Sequence, residues 1–188
     1  MFIIGIHTKA IIYKMSSLVL IDANSNVPSS AGTRELVVTG IDSTYDKYIV
    51  RYKAGYTTSN NGIVGFVTKS GLAHTSAEYY YSGFNNYNGT YRYRSSAGGS
   101  AISIFNNVER NYTLSRGIII VEFHLTNFPD AEYDYITMYG TAESNDGYCY
   151  NMPYHTTVVK NATASDGFMI QRNASATAGG ELYLYGVQ

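Results

Sequence analysis

The stretch that decides the fold runs from Tyr45 to Tyr56 and has the sequence YDKYIVRYKAGY. Tyr48, Val50 and Tyr52 occupy every second position in it, and Arg51 stands between the last two. Successive side chains of a β-strand point to opposite faces of the sheet. The alternation therefore predicts a strand with one buried face and one face in water.

Further strand-like runs lie on both sides of this stretch, separated by turn signals such as Asn61-Gly62, Asn88-Gly89 and Asp146-Gly147. We expect Asn61-Gly62 to form a tight hairpin turn. The most hydrophobic run, GIIIVEFHL at Gly117–Leu125, is typical of a central strand covered on both faces. Only Leu72–Tyr81 weakly favours a helix. The sequence therefore predicts an all-β fold, an antiparallel β-sandwich of jelly-roll type with about ten strands.

The 188 residues suit a single domain. We assign residues 18–188 to one β-sandwich domain and residues 1–17 to an N-terminal arm or tether. Met1–Lys14 is apolar but lacks the charged leader and small-residue cleavage site of a secretory signal. We expect it to pack against this chain or a neighbour; the alternative is a natural start at Met15. The residues of this candidate assembly arm are Phe2, Ile3, Ile4, Ile6, Ile11, Ile12 and Tyr13.

The composition favours contact with other molecules over catalysis. The chain has 20 tyrosines, no tryptophan and only 14% charged residues. Tyrosine fits a half-buried pleated surface, and at interfaces it adds large, stiff contact area. The net charge is −1 and no basic run is present, so we expect no nucleic-acid partner. No apolar stretch reaches about 18 residues, so we expect no membrane partner.

Residues with reactive or metal-binding side chains form no consistent site, and we expect no catalytic residue, no metal and no cofactor. Cys149 is the only cysteine, which excludes an internal disulfide and a cysteine-based zinc cluster. The four histidines lack the spacing of metal ligands. His124 could instead pair with Glu122, which lies two residues earlier on the same strand face.

The densest acidic cluster consists of Asp130, Glu132 and Asp134 in the sequence FPDAEYDY. Their spacing at every second residue can gather oxygens on one side of a loop, as a calcium site requires. An EF-hand loop would carry glycine and glutamate where Tyr135 and Thr141 stand. We therefore expect a solvated acidic turn, with calcium binding as the alternative.

Six tyrosines concentrate between Ala73 and Ser100 and form the candidate contact surface. They are Tyr79, Tyr80, Tyr81, Tyr87, Tyr91 and Tyr93. Three hypotheses remain open for them. Alternate rings could fill a core that lacks tryptophan, the rings could contact another protein, or they could stack on sugar rings with amide hydrogen bonds from the neighbouring asparagines. Protein contact is favoured over sugar binding.

Two blocks of the chain, Gly32–Lys53 and Asp166–Gln188, carry short motifs. In the first, the pattern I-x-S-x-Y-D-x-Y-x-h, where h is hydrophobic, is matched by Ile41, Ser43, Tyr45, Asp46, Tyr48 and Val50. In the second, the pattern G-x-h-x-h-Y-G is matched by Gly180, Leu182, Leu184, Tyr185 and Gly186. Together the blocks resemble a group of small virion proteins of tailed bacteriophages, common in phages of marine bacteria.

This resemblance implies a β-sandwich or jelly-roll module without catalytic residues, located in the virion. We expect a non-enzymatic structural component on the virion exterior. Capsid decoration is the favoured position, and a tail-fibre or tail-attached protein is the close alternative. The expected partners are further copies of the chain in a homo-oligomer, with a trimer as one candidate, and the major capsid protein or a tail protein. The alternative function is a carbohydrate-binding module that recognises a host surface glycan.

Overall fold

The computed structural model describes residues 17–26, 34–55, 63–74, 77–87, 90–105, 118–126, 128, 133–143, 149–160, 164–172 and 180–188. Within these ranges the chain forms thirteen strands and no helix. The strands are β1 (Leu18–Asn26), β2 (Arg34–Thr39), β3 (Lys47–Gly55), β4 (Ile63–Lys69), β5 (Leu72–Ala73), β6 (Glu78–Tyr87), β7 (Thr90–Gly99), β8 (Ile102–Phe105), β9 (Ile118–Thr126), β10 (Tyr133–Glu143), β11 (Cys149–Lys160), β12 (Gly167–Arg172) and β13 (Gly180–Val187). This exceeds the predicted number, in part because the tyrosine-rich middle forms two long strands, β6 and β7.

The strands form two antiparallel sheets, which confirms the predicted all-β sandwich. The large sheet has eight described strands in the order β1-β13-β3-β9-β10-β11-β6-β7. The small sheet has the order β2-β12-β4-β5, and β8 pairs with β4. Strands β1 and β7 are the two edges of the large sheet in the described part of the chain. The jelly-roll connectivity stays a prediction.

The core lies between the two sheets and follows the alternation predicted for β3. Tyr48, Val50 and Tyr52 are buried there. At the centre of the core, the ring of Phe123 on the large sheet meets the ring of Phe168 on the small sheet, with 4.7 Å between centroids. The buried residues of β3 and β9 therefore carry the large sheet's side of the contact between sheets.

Strand β9 is central, as predicted, but it is not covered on both faces. It lies between β3 and β10. Ile119 and Val121 are buried, whereas Ile120 between them is 51% exposed. The prediction that β9 is covered on both faces is therefore wrong, because one isoleucine of its apolar run faces outward.

The turn signals predict strand partners in one case and not in another. The predicted tight hairpin at Asn61-Gly62 is wrong, because the flanking strands β3 and β4 belong to different sheets. Asn88-Gly89, in contrast, stands between β6 and β7, which pair from Tyr87 and Thr90 onward. Both dipeptides themselves lie outside the described residues. A local turn propensity fixes a bend, while sheet membership depends on distant contacts.

One side of the sandwich is closed by side chains of β1 that bind the edge of β2. The Asn24 side-chain amide donates a hydrogen bond to the Val37 carbonyl at 2.9 Å. The Thr39 amide donates one to the Asp22 carboxylate at 2.8 Å. These contacts satisfy two backbone groups of an edge strand that would otherwise need a further strand or water.

The two motif blocks meet in space, because β3 and β13 are neighbours in the large sheet. The Tyr45 ring covers Gly186 so closely that a Cβ there would lie 2.5 Å from Tyr45 Cδ2. The Tyr48 ring packs edge-on against Tyr45 at 5.7 Å, and its hydroxyl donates to the Asp42 carbonyl at 2.6 Å. The motif residues therefore act as structural contacts between two strands.

The candidate assembly arm lies outside the described residues, apart from its last residue. Ser17 accepts a backbone hydrogen bond from Gln188 at 3.0 Å, so the start of β1 lies beside the end of β13. Among the described residues, no helix has the length and apolar character needed to cross a membrane.

Candidate functional site

The six tyrosines of the candidate contact surface do not share one surface. Tyr79 is fully buried, and its hydroxyl accepts a hydrogen bond from the Val67 amide at 3.2 Å. Its ring packs edge-on against Phe66 at 6.4 Å. Tyr79 is therefore a core residue, and its assignment to a contact surface is wrong. For this residue the core-filling hypothesis holds.

The other tyrosines of the cluster divide between strand faces. Tyr80 is 39% exposed and Tyr93 is 61% exposed. Tyr81 is half-buried, with its ring 5.0 Å from that of His155. The backbones of Tyr87 and Tyr91 belong to β6 and β7, and their side chains lie outside the described part of the structure. The cluster divides because adjacent residues of one strand point in opposite directions.

The large sheet has an outer face, which points away from the small sheet. It exposes large apolar and aromatic side chains from most of its strands: Leu18, Leu20, Tyr80, Phe84, Tyr93, Ile120, Tyr135 and Tyr139. Single exposed hydrophobic residues are ordinary, but many of them on one face mark an interaction surface. We therefore take the outer face as the candidate functional site. It contains two distinct groups of side chains.

The first group is an ion-pair cluster on β3 and β9. Arg51 Nε donates a hydrogen bond to Glu122 Oε2 at 2.7 Å, and His124 Nε2 lies 2.6 Å from Glu122 Oε1. The predicted pairing of His124 with Glu122 is confirmed. The strand register places Arg51 directly opposite Glu122. Sequence reasoning missed Arg51 because its partner is 71 residues away.

Aromatic rings flank the ion-pair cluster on both sides. The Arg51 guanidinium lies 5.4 Å from the centroid of the Tyr185 ring, and Tyr183 stacks with Tyr185 at 6.3 Å. On the other side, the His124 ring meets Tyr139 edge-on at 5.4 Å. A guanidinium over an aromatic ring at an exposed site contributes about 0.5–1 kcal/mol. The rings therefore add contacts that favour the observed arrangement of the charged side chains.

Glu122 carries the negative charge of this cluster. Its partial burial alone would raise the pKa of the carboxyl, but hydrogen bonds from Arg51 and His124 outweigh this effect and hold the pKa below its ordinary value of 4.5. A carboxyl with a lowered folded-state pKa stabilises the fold above its unfolded-state pKa. That contribution is lost as the pH falls through the folded-state pKa.

We expect the difference in unfolding free energy between the wild type and Glu122→Gln to shrink as the pH falls below 4.5. Near neutral pH the difference should be about 0.2–1 kcal/mol, the usual contribution of an exposed ion pair. Urea unfolding at a series of pH values measures it. The difference in unfolding free energy between the wild type and Arg51→Gln should shrink with falling pH in the same way. A Glu122→Gln difference that stays constant with pH would contradict the lowered pKa of Glu122.

The second group forms a trough that crosses β10, β11, β6 and β7. Its floor is a row of small hydroxyl side chains, one from each strand, which the register places side by side: Thr137, Thr156, Ser82 and Ser95. The row begins beside the ion-pair cluster, because Thr137 pairs with His124 of β9. The hydroxyl groups therefore follow one another across the strands.

Larger side chains stand on both sides of this floor, two residues further along the strands. One wall consists of Tyr139, Phe84 and Tyr93, and the other of Tyr135, Val158 and Tyr80. The rings of Phe84 and Tyr93 lie 5.5 Å apart. With a rise of about 3.3 Å per residue and a strand spacing of about 4.8 Å, the walls are about 13 Å apart and the floor is about 14 Å long.

The acidic cluster predicted from sequence is not a solvated turn at Asp134. This residue is fully buried in β10, where its carboxylate accepts a hydrogen bond from Ser165 Oγ at 2.7 Å. Asp130 and Glu132 lie outside the described residues. Among the residues that the structure describes, no group of three or more His, Cys, Asp and Glu side chains is placed to hold a metal ion.

Sequence reasoning missed the floor of the trough. Its serines and threonines are unremarkable one by one, and the alternation in β10 could have indicated only that Thr137 faces outward.

No protein-family model, curated protein or solved structure matches this chain.

Proposed function

We propose that this protein is a non-enzymatic structural component on the exterior of a bacteriophage virion. Capsid decoration is the favoured position, and a tail-fibre or tail-attached position is the close alternative. The phage assignment is supported by the resemblance of Gly32–Lys53 and Asp166–Gln188 to small virion proteins. The residues of both motifs connect β3 to β13, and proteins that share this fold would need the same connection.

The observation that carries the assembly role is the edge of the large sheet at β1. This strand directly follows the assembly arm and exposes Leu18 and Leu20, the latter at 55%. An edge strand offers unpaired backbone groups to a further strand, and main-chain hydrogen bonds can then supply affinity. A neighbouring subunit seated here would also cover both leucines. We therefore place the contact between copies at β1, with a homotrimer as the candidate unit.

We expect the purified full chain to be a stable oligomer and Leu20→Asp to reduce it to a monomer of 20.7 kDa. A charged side chain at the centre of an apolar contact would have to be buried without a partner. Light scattering at two protein concentrations measures the mass. The matched control is Leu72→Asp, which places the same charge at a leucine 71% exposed on β5 of the small sheet. Leu72→Asp should leave the mass unchanged.

Two results would contradict the assembly role. One is a wild type that is monomeric at both concentrations. The other is an equal mass for Leu20→Asp and Leu72→Asp. Deleting Met1–Lys14 tests the arm separately, because loss of the oligomer on deletion would assign the arm to the contact. An antibody against the recombinant chain tests the location. It should label intact phage particles that carry this sequence, and particles without label would exclude the virion exterior.

A further inference from the structure

We propose that the trough binds a neutral oligosaccharide, which lies across the strands with its rings between the two aromatic walls. This inference goes beyond the assembly role and does not depend on it. The trough spans β10 to β7, whereas the proposed contact between copies lies at β1, the opposite edge of the large sheet. Occupation of one surface therefore leaves the other accessible.

The floor has the hydrogen-bonding chemistry of a sugar. The Thr156 hydroxyl is buried, but those of Thr137, Ser82 and Ser95 can each donate one hydrogen bond and accept two. A sugar hydroxyl has the same capacity, so a row of serine and threonine side chains can exchange hydrogen bonds with it in either direction. The cores of protein–protein interfaces are depleted in serine, and serine and threonine are rare among their hot spots. The hydroxyl floor therefore fits a sugar better than a protein partner.

The walls supply the apolar contact that a sugar ring needs. The C–H groups on one side of a pyranose pack against an aromatic face, and a tyrosine adds a polar tip at the rim. Phe84 and Tyr93 hold each other at 5.5 Å, and Tyr139 is held by its edge contact with His124. These contacts favour one arrangement of the rings before a ligand arrives, which reduces the entropy cost of binding.

The charge of the site favours a neutral ligand. The ten described side chains of the floor and walls are uncharged, and the one carboxylate bonded to them, Glu78, accepts a hydrogen bond from the Tyr80 hydroxyl at 2.7 Å. The ion-pair cluster lies at one end of the floor, and there the Arg51 charge is balanced by Glu122 at 2.7 Å. An acidic sugar would have to compete with Glu122 for Arg51. A neutral sugar needs no such exchange.

The site differs from the sugar platform considered from sequence. Of the six clustered tyrosines, Tyr80 and Tyr93 stand in the walls, and Tyr79 is in the core. The other rings are that of Phe84, which lies in the same segment on β6, and those of Tyr135 and Tyr139 on β10, far from the cluster in sequence. The register of four strands, rather than one tyrosine-rich segment, forms the site.

The test is isothermal titration calorimetry of the full chain with named probes at millimolar concentration. The neutral probes are cellohexaose, maltohexaose, mannohexaose and N-acetylchitohexaose, and the acidic probe is hexagalacturonic acid. We expect at least one neutral probe to bind. Tyr139→Ala and Phe84→Ala should each weaken that binding about twofold to tenfold, since an aromatic contact contributes about 0.5–1.5 kcal/mol.

A second pair of variants keeps the test independent of the wall residues. Thr137→Val and Ser82→Ala remove floor hydroxyls with little change of shape, and each should weaken binding by a similar factor. The matched control is Tyr183→Ala, which removes a ring from the same outer face away from the trough. It should leave the affinity unchanged. Circular dichroism of each variant confirms that it is folded.

Three results would overturn the proposal. The first is that no neutral probe binds. The second is that binding is unaffected by all four trough variants. The third is that only the acidic probe binds and that its binding depends on Arg51. The oligomer mass from the light-scattering experiment tests the assembly role separately, so failure of sugar binding and failure of assembly can be told apart. A monomeric chain that binds cellohexaose through the trough, for example, would retain the binding site and reject the contact at β1.

Discussion

Replacing Phe168 with alanine is expected to lower the free energy of unfolding by about 3–5 kcal/mol. The Phe168 ring is fully buried at the centre of the contact between the sheets, 4.7 Å from the ring of Phe123. It also fills the space that the missing side chain of Gly65 leaves, since a Cβ there would lie 2.9 Å from Phe168 Cζ. Two hydrogen-bonded sheets cannot easily move together to fill the cavity. Urea unfolding followed by circular dichroism measures the change.

The matched control for this substitution is Phe84→Ala, which removes the same ring from a position 50% exposed on the outer face. Its cost should stay within about 0.5 kcal/mol. Phe123→Ala combined with Phe168→Ala should cost less than the sum of the two single changes, because both remove the same ring contact. Equal costs for Phe168→Ala and Phe84→Ala would mean that the two sheets do not pack through these rings.

Replacing Gly167 with alanine is expected to destabilise the protein by about 3 kcal/mol, at the upper end of the usual cost of overpacking. A Cβ at this position would overlap the carbonyl oxygen of Val38 and lie 2.9 Å from the Cα of Thr39. Strand β12 is paired on both sides, with β2 and with β4, so its backbone cannot move away. The preceding residue, Asp166, is also held, because its carboxylate accepts hydrogen bonds from Thr68 Oγ1 at 2.7 Å and from the Gly71 amide at 3.1 Å.

Gly186→Ala provides the comparison for this backbone clash. There the three atoms nearest to the added Cβ all belong to the ring of Tyr45, which is a side chain. Tyr45→Ala should therefore relieve much of the cost of Gly186→Ala. Thr68→Ala should not relieve the cost of Gly167→Ala, although Thr68 Oγ1 would lie 2.8 Å from the new Cβ. Thermal unfolding of the single and double variants measures both pairs, and rescue of Gly167→Ala by Thr68→Ala would refute the backbone explanation.

The two proposed activities lie at opposite ends of one outer face. Strands β13, β3 and β9 separate the exposed edge at β1 from the trough that begins at β10. The ion-pair cluster of Arg51, Glu122 and His124 lies on this intervening region. A subunit that assembles through β1 would therefore leave its trough uncovered by that contact.

The class of fold and the faces of individual strands follow from local patterns in the sequence. Alternation at Tyr48, Val50 and Tyr52 was enough to predict a strand of a sandwich and its buried side, since the side-chain period of a strand is local. The pairing of His124 with Glu122 was also predictable, because two residues on one strand share a face whatever their neighbours. Nothing beyond the strand period was needed for either prediction.

The choice of neighbouring strands and their register depends on contacts between residues that are distant in sequence. The contact of Arg51 with Glu122, the row from Thr137 to Ser95 and the burial of Tyr79 each depend on this pairing. The last strand, β13, lies between β1 and β3, which no local pattern indicates. The physical reason is that a strand's period fixes which face a side chain takes. The residue opposite it is fixed by long-range hydrogen bonding and by the packing of the whole core.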